Sequence, residues 1–91
     1  MRFCKACVTV AEGIEQQMTQ ENQMLLMETP YPELWKYHFT VGMWIRNHCL
    51  NEKEYLYQAF RVLGFETKDD MSLFLIEFTQ RYLLLKQADM L

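Results

Sequence analysis

The chain has 91 residues, 51% hydrophobic and 14% aromatic, with 9 basic and 12 acidic side chains and a formal net charge of −3. That length supports one domain hiding roughly 60–65% of the surface its unfolded form would expose, and so many aromatics exclude a disordered chain. The positive charges stand singly between Arg2 and Lys86, whereas phosphate-backbone binding needs them clustered, so nucleic acid is not an expected partner.

The apolar content exceeds what one small core needs, which points to an exposed apolar patch and hence to a partner or a dimer. Three cysteines, Cys4, Cys7 and Cys49, are an odd number and do not suit a secreted disulfide scaffold. The N-terminal run is broken by Lys5 and Glu12 and lacks the apolar region of a signal peptide. No window reaches the run of about 18 apolar residues needed to span a membrane. A reducing cytoplasm is the expected location, with no membrane partner.

Cys7, Ala11, Ile14 and Met18 recur at helical spacing, so the first helix is expected over about 4–18, weakened by Gly13 by roughly 1 kcal/mol relative to Ala. Thr19 is a candidate cap for a short second helix carrying Met24, Leu25, Leu26 and Met27. Thr29-Pro30-Tyr31-Pro32 marks a boundary, because each proline pushes the residue before it out of the helical region, while Pro32 suits a first helical turn. From there Pro32–Asn47 reads as one helix, apolar on nearly every side. Leu34, His38, Val41 and Ile45 mark one face, and Trp35, Phe39 and Met43 mark another. A helix without a wide polar face belongs in the middle of a domain, and Gly42 would let a neighbour approach closely.

Asn51 through Glu54 resembles a capping box, followed by a helix carrying Leu56, Ala59, Phe60 and Leu63 on one side. Leu63-Gly64-Phe65 then has the form of a glycine C-cap with an apolar residue folding back. Thr67-Lys68-Asp69-Asp70 starts the last helix, where acidic side chains favour the positive end of the dipole. That helix uses Met71, Leu75, Phe78, Tyr82 and Leu85, with Glu77 and Arg81 as an expected i,i+4 pair. The expected fold is all-α: residues 1–91 form a single-domain bundle of four to five helices around the central apolar helix at about 32–47.

Few constellations carry chemistry. Cys4 and Cys7 form a C-x-x-C with no strand before it, so the redox setting of that motif is missing. A zinc site would have to combine them with His48 and Cys49, adjacent residues that rarely both reach one metal. Small apolar core residues are the default reading, and neither metal nor cofactor is expected. His38 lacks the nucleophile and orienting group a general base requires, so a hydrogen-bonded structural role is favoured. Arg46 leaves an apolar helix end and needs a partner there. The acidic start of the last helix is the natural one, since Arg takes carboxylates bidentately. Arg46, Asn47, Asp69 and Asp70 are therefore expected to form a structural clasp, with Asn47 ending its helix in the left-handed region. The competing reading makes His38, Arg46 and Asp70, with Asp69, a catalytic or nuclease-like site. Tyr31, Tyr37 and Tyr57 are the aromatics expected at the surface, where Tyr is a common interface anchor.

From Glu33 to about Leu84, E-L-W-K-Y-H-F-T-V-G-M-W-I-R-N, then L-x-x-A-F-x-x-x-G-F, then D-D-M-S and a closing R-Y-L, resemble a family of small bacterial domains of unknown function. That resemblance implies a helical domain of about this size and transfers no catalytic role. The expected function is non-enzymatic protein binding. An immunity- or antitoxin-type neutraliser of a basic toxin suits the size, acidity and empty catalytic inventory. The alternatives are the small enzyme just described and a homodimeric structural module in which each copy completes the other's core.

Overall fold

In the computed structural model, which describes residues 1–91, the chain forms five α-helices and one 3-10 helix with no strand. The helices are α1 (Arg2–Gln17), α2 (Gln20–Glu28), the 3-10 helix Tyr31–Tyr37, α3 (Val41–His48), α4 (Tyr55–Val62) and α5 (Lys68–Gln87). No helix is long and apolar enough to cross a membrane.

The helix ends follow local chemistry. Thr19 Oγ1 accepts from the Asn22 amide at 3.1 Å, and Thr67 Oγ1 accepts from the Asp70 amide at 3.1 Å. Each side chain satisfies one of the amide donors that a helix start leaves without an intrahelical partner. Gly64 has φ +97°, which a side chain would resist. Around it the Phe65 amide donates to the Phe60 carbonyl and the Gly64 amide to the Arg61 carbonyl, both at 3.0 Å. That is the Schellman pattern, and the Phe65 ring comes back to 4.9 Å from Phe60. The capping box expected at Asn51 does not form. Asn51 Oδ1 accepts from the Lys53 amide at 2.9 Å in a tight turn, and α4 starts only at Tyr55, after Glu54. The turn uses up the residues that the box would have placed in the first helical turn.

Pro32–Asn47 is not one helix, and it is not the centre of the fold. The chain leaves the 3-10 helix at Tyr37, turns through His38, Phe39 and Thr40, and re-enters a helix at Val41. Aromatic and β-branched residues give this stretch weak helix propensity. Thr40 also bonds its own turn, from its amide and its hydroxyl to the Tyr37 carbonyl. Only one of the two apolar faces is covered. Leu34 and Ile45 are fully buried, whereas Trp35, Phe39 and Met43 are 64%, 75% and 45% exposed.

The central element is α5. α1, α2, the 3-10 helix and α3 all pack on it. It buries Met71, Leu75, Ile76 and Leu83 among Cys7, Val10 and Ile14 of α1, Leu26, Leu34, Ile45, Leu50 and Phe60. At its first half Phe74 meets Phe3, Phe60 and Phe65 at ring separations of 5.5–6.2 Å, a cluster favoured by edge-to-face geometry. α5 also buries Ser72, Thr79 and Gln80, each hydrogen-bonded. The Ser72 and Thr79 hydroxyls donate to carbonyls in their own helix, of Asp69 and Leu75. Gln80 Nε2 donates to the Leu26 and Thr29 carbonyls at 2.9 and 2.7 Å, closing the end of α2. Glu77 and Arg81 make no ion pair. Arg81 instead lies 5.1 Å over the Tyr31 ring and bonds the Glu77 carbonyl.

Two glycines are needed for space. A Cβ at Gly13 would stand 3.1 Å from the Trp44 ring, so this residue lets the indole lie against α1. A Cβ at Gly42 would come within 2.9 Å of Arg46 Nη1 and 3.5 Å of Ile76 Cδ1. The close neighbours at Gly42 are thus the guanidinium folded over its own helix, the Tyr37 carbonyl at 3.3 Å and α5.

Candidate functional site

The break at His38–Thr40 creates the site. It leaves the His38 carbonyl without a main-chain hydrogen bond, and Arg46 Nη2, one turn into α3, donates to it at 2.9 Å. Nη1 donates to Ser72 Oγ at 3.1 Å and lies 3.4 Å from His38 Nδ1. Nε lies 3.8 Å from Asp69 Oδ1. The Arg46 side chain is 16% exposed and that of Asp69 67% exposed. The guanidinium therefore joins three segments: the turn after the 3-10 helix, α3, and the start of α5.

Two members of the expected clasp stand apart. Asn47 is exposed inside α3, which continues through His48, and Cys49 caps it with φ −120° rather than in the left-handed region. The Asp70 carboxylate makes no ion pair or hydrogen bond. Ser72, whose hydroxyl links Arg46 to the Asp69 carbonyl, was not among the expected residues. Its signal was the D-D-M-S order itself, which puts Asp69 and Ser72 one turn apart.

Beside Arg46 lies a hollow of about 310 Å³. Trp35, Lys36, His38 and Phe39 wall it from one side. α5 supplies Asp69, Asp70, Ser72, Leu73 and Ile76 from the other. Lys36 is ion-paired with Glu33. The His38 ring packs edge-on against Phe39 at 4.7 Å, with Nδ1 turned towards Arg46. The hollow thus has two highly exposed aromatic walls and an acidic rim, while its histidine and the adjacent arginine already bond each other and the backbone. Such a place can seat a side chain. The hydrogen bonds of Arg46 already hold it to His38 and Ser72.

The other expected residues are dispersed. Cys4 is exposed, Cys7 is buried in the core, and Cys49 is half-buried at the end of α3. His48 is exposed, stacked on Trp44 at 4.9 Å and bonded to the Trp44 carbonyl. No three His, Cys, Asp or Glu side chains stand close enough to hold a metal ion. Burial, with Cys4 nearby, pushes the Cys7 thiol up to about 11, and burial, with Glu54 nearby, does the same to Cys49. Neither is poised as a thiolate nucleophile. Of the tyrosines, Tyr31 is exposed under Arg81. Tyr37 is half-buried, with its hydroxyl 3.0 Å from Thr29 Oγ1. Tyr57 is half-buried against the core. The other large exposed aromatics, besides Tyr31, are Trp35 and Phe39, which helical periodicity assigned to a covered face.

Fold and site together define a small all-α protein with an open, aromatic-walled hollow at the start of its central helix. The chain belongs to the family described as Domain of unknown function (DUF6794), whose model matches residues 8–83. No curated protein and no solved structure matches it.

Proposed function

We propose that this protein is a non-enzymatic binding module that engages another protein through the Trp35–Phe39 face. The observation that carries this reading is the exposure of two neighbouring large aromatics on the walls of one hollow. Trp is enriched among residues that dominate interface energies, and exposed aromatics grouped at a concavity are unusual unless something covers them. Net acidity and small helical form favour a basic partner, in the manner of a bacterial immunity protein or antitoxin that neutralises a toxin. Three unpaired cysteines suit a cytoplasmic setting.

Affinity capture from the native cell, with bound proteins identified by mass spectrometry, tests the proposal. The wild-type chain is expected to retain a basic protein that Trp35→Ser/Phe39→Ser does not. Both chains should melt at similar temperatures, since neither side chain is in the core. Equal retention by both chains, or a retained partner with no dependence on this face, would refute it.

A further inference from the structure

We infer that the partner element seated on this face is a basic amphipathic segment, with apolar side chains in two adjoining hollows and a cation over the ridge between them. This deepens the proposed binding role and rests on it. A second hollow, of about 410 Å³, adjoins the first along α5, walled by Leu63, Gly64, Phe65 and Phe74. It shares Asp70 and Leu73 with the first. The two hollows therefore flank one ridge of α5, on which Asp70, Leu73 and Glu77 follow at intervals of three and four residues.

Charge selects the occupant. The hollows are lined by three acidic residues, Asp69, Asp70 and Glu77, and one basic residue, Lys36. Lys36 is held by Glu33 and Asp69 faces Arg46, whereas Asp70 and Glu77 are in no ion pair. Cations on the same and neighbouring elements have other partners: Lys68 pairs with Glu52. Arg61 bonds the Glu66 carbonyl, and Arg81 lies over Tyr31. Two unpaired carboxylates about two turns apart on one helical face, beside apolar hollows, match a helix with one apolar and one cationic face. Trp35 and Phe39 line the same hollow as Asp70, and exposed aromatic rings favour a cation over an anion beside them. An acidic or purely apolar segment would leave both carboxylates covered and uncompensated, which costs affinity.

The test uses Trp44→Phe, which leaves Trp35 as the only tryptophan, and follows its emission during titration. The probes are a helical peptide of leucine and lysine with one apolar and one basic face, and its counterpart with glutamate for lysine. The lysine peptide should shift Trp35 emission to the blue and bind at least about tenfold more tightly than the glutamate peptide. Asp70→Asn/Glu77→Gln, which removes two half-exposed charge pairs, should weaken it by about tenfold. These side chains make no ion pair in the free protein, so the variant is expected to fold with a Tm only a few degrees lower, from loss of the Asp70 charge in the first turn of α5, which a thermal melt checks. Equal binding of the two peptides, or no effect of the variant, overturns the inference while the capture result above still stands. No binding of the lysine peptide overturns it too. A blue shift that follows protein concentration without peptide gives the face to a second copy and overturns it as well.

Discussion

Replacing Arg46 with Ala tests the main structural claim about the site. The guanidinium has two kinds of partner, and their magnitudes differ. Its bonds to the His38 carbonyl (2.9 Å) and Ser72 hydroxyl (3.1 Å) are short and largely shielded from water. Hydrogen bonds to a charged group contribute about 1.5–3 kcal/mol each. Water can enter from the opening beside Arg46 and Asn47 and replace part of this, so the pair together is worth about 2–3 kcal/mol. The approach to Asp69 is long, at 3.8 Å, and that carboxylate is 67% exposed. An exposed pair of this kind adds about 0–1 kcal/mol. Arg46→Ala should therefore lower Tm by roughly 10–20 °C, at about 4–8 °C per kcal/mol for a domain this small. Asp69→Asn should lower it by no more than a few degrees, roughly 5 °C. Thermal melts of both variants, repeated in about 0.5 M salt to screen exposed charge, separate the two contributions. The Arg46→Ala deficit should survive the salt. Equal losses in the two variants, or a deficit that vanishes in salt, would show that the ion pair dominates and refute the reasoning. A Tm unchanged by Arg46→Ala would refute it outright.

Gln80→Leu leaves the Leu26 and Thr29 carbonyls without their side-chain donor at the end of α2. It should cost about 2–3 kcal/mol in urea unfolding, and a loss below about 0.5 kcal/mol would contradict the role given to Gln80. Gly64→Ala forces a side chain into φ +97° and should cost about 1–2 kcal/mol, with no contribution from crowding, because nothing lies within 4 Å of the added Cβ. The thiols of buried Cys7 and half-buried Cys49 make stability depend on alkaline pH. Their folded values, about 11, lie above the ordinary 9.0, so the folded state favours the protonated thiol. Their contribution is complete below pH 9 and is lost as pH rises from about 9 through about 11. Tm should fall across that window and fall less in Cys7→Ala/Cys49→Ala, and identical pH profiles would contradict this. With an alkylating reagent at pH 8, exposed Cys4 should be modified before Cys7, which is 1% exposed.

Three helix ends were readable because their signals are local, whereas the ends expected at Asn47 and Asn51 lie elsewhere. Thr19, Gly64 and Thr67 act through atoms within three or four residues, so sequence order nearly determines the geometry. The all-helical architecture was readable for the same reason. The centre of the fold was not. Hydrophobicity along Pro32–Asn47 showed two apolar faces, and only the turn at His38–Thr40 decides which of them meets α5. Trp35, Phe39 and Met43 therefore looked like core and lie at the surface. The centre is α5, where Ser72, Thr79 and Gln80 lie among the apolar residues, each buried with its hydrogen bond made. The excess of apolar residues over core capacity pointed to exposed apolar surface, and of the three tyrosines expected there Tyr31 is exposed, while Tyr37 and Tyr57 are half-buried and Trp35 and Phe39 are exposed in addition. For Arg46 the sequence pointed to the start of α5, and Asp69 and Ser72 are there. No sequence signal announces a carbonyl freed by a break in the backbone, so the His38 bond emerged only from the fold.

Oxidative footprinting of side chains, on the free protein and on its complex with the protein it retains, tests the binding claim most directly. The account predicts rapid modification of Trp35 and Phe39 in the free chain and strong protection of both in the complex, with Met24, beside the far end of α5, unchanged. Slow modification of Trp35 in the free chain, or a complex that leaves it fully reactive, would contradict it.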